Sequence, residues 1–113
     1  MDGINQNNSL SDSKIVKIDE LIDYQKDSIV SRTLIDKKMG TITFFAFDQG
    51  QGLSEHTSPF DAIVQVLDGE VEVHILDKLF FLKSGNLIIM PANISHSVKA
   101  IKKFKMLLTM IKS

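Results

Sequence analysis

Two histidines, His56 and His96, are the side chains of this 113-residue chain best suited to chemistry. Each sits where a glycine turn runs into a β-type segment. The first stretch is Gly52 to Gly69, GLSEHTSPFDAIVQVLDG, and the second is Gly85 to His96, GNLIIMPANISH. A neutral imidazole offers a lone pair to a cation and titrates near neutral pH, so it can serve as a metal ligand or as a general acid or base. The two lie far apart in sequence and can act together only if the fold sets their stretches face to face. Two imidazoles on one wall suit a borderline divalent ion such as zinc, nickel, iron, manganese or copper, although two protein ligands alone hold it weakly. The third histidine, His74, shares the polar face of its segment with Glu72 and reads as surface.

Composition narrows the field. The chain has no cysteine, which excludes a thiolate nucleophile, a disulfide framework and cysteine-bound zinc. Thirteen basic and fourteen acidic side chains give a formal charge of -1, so there is no global basic field to attract nucleic acid or an anionic membrane. The lysines at 99, 102, 103, 105 and 112 read as a solvated face and as edge protection for strands. No apolar run is long enough to span a bilayer, and MDGINQNNSLSDS lacks the basic start and apolar block of a signal peptide. The expectation is a cytoplasmic protein with no membrane partner.

The elements that must position the histidines are strands. Residues 1–13 are rich in Asn, Ser and Asp and read as a flexible tail or loosely attached arm, followed by a single domain over 14–113. Lys14 to Ile18 suggests a short strand, and Asp19 an N-cap for one or two helical turns with Leu21 and Ile22 on the core side. Ile29 to Ile35 and Thr41 to Phe47 read as a hairpin about the turn Asp36 to Gly40. Ala62 to Leu67 is apolar on both faces, as in a strand buried on both sides, and Asp68-Gly69 signals a tight hairpin turn. Glu70 to Leu76 and Leu79 to Leu82 form a half-exposed hairpin, and Leu87 to Met90 ends at Pro91. His96 to Ala100 and Phe104 to Ile111 complete nine or ten short strands, the spacing of an all-β sandwich or barrel.

The two stretches resemble the paired motifs of the cupins, G-x5-H-x-H-x3/4-E-x6-G and G-x5-P-x-G-x2-H-x3-N. His56 stands at the first histidine of motif one and Gly69 closes it; Pro91 follows Gly85 after five residues and His96 occupies the motif-two histidine. Asn93 replaces the usual glycine, Ser58 the second histidine, Ala62 the carboxylate and Ala100 the final asparagine, so two of the four usual metal ligands are absent. The resemblance covers about Ile29 to Ile111 and implies a jelly-roll cupin barrel, a double-stranded β-helix, with one pocket and often a homodimer.

On that reading the pocket holds His56, Ser58, Ala62, Val64, His96 and Val98, with Val66 and one face of Met106, Leu108 and Met110 alongside. His56 and His96 are the candidate metal ligands, and Gln65, Asp61, Glu55 or water would have to supply a third. Gln65 alternates away from Ala62, while Asp61 and Glu55 belong to the rim. Two functions follow from different classes. One is a small-molecule-binding barrel with a weakly held divalent metal and no complete catalytic site. The other is a metal-dependent enzyme of dioxygenase, isomerase or decarboxylase type. A metal-free enzyme with either histidine as general base is a third reading.

Overall fold

The computed structural model describes residues 3–6 and 13–112. Among them the alternation of β-branched runs and turns yields ten strands: β1 (Gly3–Gln6), β2 (Ile29–Lys37), β3 (Gly40–Phe47), β4 (Gly52–His56), β5 (Asp61–Asp68), β6 (Glu70–Ile75), β7 (Lys78–Lys83), β8 (Leu87–Met90), β9 (His96–Ala100) and β10 (Phe104–Ile111). They form a six-stranded sheet in the order β1-β2-β3-β10-β5-β8 and a four-stranded sheet in the order β4-β9-β6-β7. Only β1 and β2 pair in parallel. The result is a jelly-roll barrel of two antiparallel sheets.

Period-two alternation sends one face of each strand inward. Phe45, Phe47, Val64, Val66, Phe104 and Met106 from the larger sheet meet Val71, Val73, Leu82 and Val98 from the smaller one. The rings of Phe47 and Phe104 stack at 4.6 Å between centroids, closing one end of the barrel interior.

The N-terminal part departs from expectation. Gly3–Gln6, within the expected tail, lies along β2, and the remainder of residues 1–12 is outside the described residues. Lys14 to Ile18 is not a strand, because the outer edge of β2 that it could have joined is occupied by β1. The expected helix is a single 3-10 turn, Ile18–Glu20, with Lys17 rather than Asp19 at its N-cap and no side-chain cap. Ile22 is buried as expected, but on the outer face of the six-stranded sheet, where it joins Val30, Phe44 and Ala46 in a second cluster. Such burial contributes about 1.5–3 kcal/mol.

Lysine contacts hold this strap in place. Lys105, expected in solvent, is buried and donates from Nζ to the Asp19 carbonyl at 2.9 Å. Its ammonium and that of Lys103 lie 5.1 and 4.9 Å from the centroid of the Tyr24 ring, and the Tyr24 hydroxyl donates to Asp68 at 2.5 Å. Desolvation, reinforced by the Asp68 carboxylate, pushes the Tyr24 pKa well up, so the phenol keeps its proton and stays a donor.

Asp68-Gly69 is not a hairpin turn. β5 and β6 belong to different sheets, so the chain turns a corner of the barrel there. An Asp-Gly pair favours positive φ but does not determine which strand lies opposite. Gly69 has φ of +80°, and a Cβ on it would collide with the Lys103 carbonyl and Phe104. Gly50, at φ of +85°, has open space around it. Gly69→Ala should therefore destabilise the fold by more than about 2 kcal/mol and Gly50→Ala by about 1 kcal/mol. Urea unfolding of both variants checks the order, and equal losses would contradict it.

Candidate functional site

His96 begins β9, a central strand of the four-stranded sheet, between β4 and β6. It is consequently buried, with 5% of its surface exposed. His56 ends β4, the edge strand, and is exposed. Leu53 is opposite Val98 and His56 is opposite His96, so three steps along β4 match two along β9. The extra residue is a β-bulge. Without it, strict alternation from Leu53 would turn His56 outward; with it, His56 joins Leu53 on the inner face.

The two rings meet edge to face with Nε2 atoms 3.1 Å apart. His56 Nδ1 is 2.6 Å from the Ser54 carbonyl and His96 Nδ1 is 3.1 Å from the Ile94 carbonyl. A carbonyl oxygen only accepts, so each Nδ1 must carry a proton and donate it. Both Nε2 atoms then present lone pairs to one another. Two neutral rings hold two protons, whereas these three contacts need three. The arrangement is satisfied by one additional positive charge between the Nε2 atoms, either a shared proton or a metal ion.

A metal ion fits this donor set. Nitrogens 3.1 Å apart are close enough for both to reach one zinc-sized ion at about 2.0–2.1 Å. No cluster of three or more His, Cys, Asp or Glu side chains occurs among the described residues, so these imidazoles would be the principal protein donors.

The cavity beside them amounts to about 40 Å³. That is room for a few water molecules or a short organic group. Of the predicted pocket residues, His56, Ser58, Ala62, His96 and Val98 line it. Val64 and Val66 do not. They are fully buried deeper along β5, where aromatic side chains fill the barrel. Met106, Leu108 and Met110 line the cavity as anticipated, and Leu53 and Met90 join them without having been foreseen. Met90 could have been found from pairing, since it is opposite Ala62. Leu53 could not, because its alignment with Val98 depends on the bulge. Ala62 creates the room: at its level the neighbouring side chains are Met90 and Met110, and a larger residue between them would close the space.

Two loops form the rim. Asn93 N–H donates to the Ser58 carbonyl at 2.7 Å, Ala92 N–H to Asp61 Oδ1 at 2.9 Å and Phe60 N–H to Ser58 Oγ at 3.2 Å. Asp61 is thus occupied in holding the rim together. Neither Asp61, Glu55 nor Gln65 lines the cavity.

Comparison with known proteins agrees with this architecture. A cupin-domain model matches residues 43–112, and the chain belongs to the cupin family. A conserved protein of unknown function from Streptococcus pyogenes is 34% identical with a TM-score of 0.89, over 100% of this chain and 96% of that one. A cupin 2 conserved barrel domain protein from Leptotrichia buccalis is 40% identical with a TM-score of 0.81; the match covers 83% of this chain but only 46% of that one. A cupin superfamily protein from Desulfitobacterium hafniense shares the fold at 22% identity and a TM-score of 0.87, over 96% and 99% of the two chains. No curated protein matches. No helix among the described residues is long and apolar enough to cross a membrane.

Burial pushes the His96 pKa below its ordinary 6.5; the contact with the Ile94 carbonyl opposes the shift and the neighbouring His56 adds to it. Charging the buried ring of His96 is therefore disfavoured, and that ring serves better as a neutral acceptor. Folded His96 takes up its second proton less readily than the unfolded chain does. Its contribution to stability is present above the unfolded value and is lost as the pH falls from there through the lower folded value. Between about pH 7.5 and pH 5.5, the wild type should lose more thermal stability than His96→Asn does. Circular dichroism melts check this, and parallel losses would contradict it.

Proposed function

We propose that this barrel binds a divalent cation together with a small organic ligand in the pocket between its two sheets. The observation that supports the reading is the approach of the His56 and His96 Nε2 atoms to 3.1 Å beside an otherwise largely apolar cavity. With both Nδ1 atoms committed to backbone carbonyls, neither ring, while neutral, can turn its Nε2 into a donor without breaking a contact. His56 and His96 would hold the cation, which would supply positive charge and open coordination positions for oxygen atoms of the ligand. The chain's own residues orient it: the carbonyls fix both rings, and the methionines and Val98 exclude water from one side. With two protein donors and no acid or base beside them, a binding role is better supported than a complete catalytic metal site.

Metal content measured by elemental mass spectrometry, on untagged protein purified without chelator, tests this reading. The wild type should carry a divalent metal that a His56→Ala, His96→Ala double variant loses. Equal content in both, or none in the wild type after zinc loading and gel filtration, would overturn it.

We also propose that a second copy of the chain covers the part of the outer face of the six-stranded sheet that the Ile22 cluster leaves open. Ile35, Ile42, Thr109, Ile63 and Ile89 stand opposite one another in a row across five strands. Leu87, Ile89 and Ile111 on this face are more than half exposed. A strip of four isoleucines about one threonine, flanked by exposed Leu87 and Ile111, marks a contact surface. Light scattering should give twice the 12.7 kDa chain mass, and a Leu87→Lys, Ile89→Lys variant should be a folded monomer. A monomeric wild type would contradict the proposal.

A further inference from the structure

We propose that the open edge of β7 docks an extended acidic peptide of another protein, which joins the four-stranded sheet as an added antiparallel strand. β7 is the outermost strand of that sheet and pairs only with β6. Phe80 and Leu82 pack into the barrel, whereas Leu79 and Phe81 face outward and are 42% and 67% exposed. The turn after β7 fixes the direction of its backbone. Lys83 N–H donates to Asn86 Oδ1 at 3.0 Å and the Lys83 carbonyl accepts the Asn86 N–H at 2.9 Å, so both groups of Lys83 point away from β6. In an antiparallel ladder that orientation recurs at every second residue, and the β6–β7 register runs without a shift. The N–H and C=O groups of Phe81 and Leu79 therefore point away from β6 too, and no strand among the described residues pairs with them. Such an edge is a template for a further strand.

The side chains along this edge select the chemistry of the partner. β7 begins and ends in lysine and carries no acid. Glu70 stands opposite Lys83, but its carboxylate is taken by Lys102 at 2.9 Å, which leaves Lys83 without an ion pair among the described residues. A second copy of the chain is disfavoured here, because two β7 edges set antiparallel bring Lys78 and Lys83 of both copies to one seam with no carboxylate on either strand. A strand with a carboxylate opposite Lys83 meets an unpaired cation instead. Beside Lys83 lies an open groove of about 240 Å³ with apolar walls from Phe81, Leu82 and Ile101. Residues opposite one another share a face of the sheet, so the partner needs apolar side chains opposite Phe81 and Leu79. Read from its N-terminus, the matching segment is acidic-x-apolar-x-apolar. This surface faces away from the barrel interior and belongs to the other sheet from the isoleucine strip, so it depends on neither reading above.

The probe is the synthetic peptide acetyl-Glu-Thr-Val-Thr-Val-amide, titrated into the 15N-labelled full-length protein. Amide shift changes should concentrate on β7, and hydrogen exchange at Leu79 and Phe81, fast in the free protein, should slow by about tenfold or more at saturating peptide. The same peptide N-methylated at both valines cannot donate to the edge and should bind about tenfold more weakly or worse. A peptide with lysine in place of the glutamate should bind the wild type more weakly than the parent does, and the order should reverse in Lys83→Glu, whose folding circular dichroism confirms. Absence of shifts on β7, equal binding of the N-methylated peptide, or an order that Lys83→Glu leaves unchanged overturns the proposal. Slow exchange at Leu79 and Phe81 in the free protein that is lost on dilution identifies a second copy on this edge and overturns it as well.

Discussion

Hydrogen bonding at the mouth of the barrel imposes a count that the rest of the site must meet. His56 and His96 make three close contacts through ring nitrogens, two to carbonyls and one to each other. Carbonyls accept only, so both Nδ1 atoms are donors and the facing Nε2 atoms are both electron-rich. A positive charge between them resolves the conflict. Burial of His96 on a central strand disfavours carrying that charge on its own ring. Position within the sheet therefore distributes the electrostatics of the pair.

The sheets serve this contact in different ways. The four-stranded sheet supplies both histidines, one from the edge strand β4 and one from its neighbour β9, and the bulge in β4 turns His56 inward. The six-stranded sheet supplies the opposite wall, where Ala62 leaves a gap between Met90 and Met110. Deeper in the barrel Phe47, Phe104 and the β5 valines fill the interior, so the cavity remains shallow. The loops carrying Ser58 and Asn93 are tied to one another by a backbone hydrogen bond and by the Asp61 carboxylate, which fixes the rim.

Much of this was legible in the sequence because it rests on local rules. Most of the strands follow from alternation and β-branched runs, and Pro91 ends β8 because it has no N–H to donate. Asn93 stands where the motif has glycine, and its φ of +64° shows why the exchange is tolerated: asparagine adopts left-handed backbone more readily than most residues. What stayed hidden depends on partners distant in sequence. The bulge that aligns Leu53 with Val98 has no signature of its own. Asp68-Gly69 reads as a hairpin because its local conformation is the same at a barrel corner. Lys105 resembles every other lysine until the Asp19 carbonyl and the Tyr24 ring are placed over it.

The central claim is that both imidazoles donate from Nδ1 and direct Nε2 lone pairs at a common cation. The most direct measurement is NMR of protein labelled with 15N at histidine, at neutral pH, before and after zinc is added. The account predicts that Nδ1 of both His56 and His96 is protonated in both samples, and that zinc shifts both Nε2 resonances together. A neutral ring with its proton on Nε2, at either position, would contradict it.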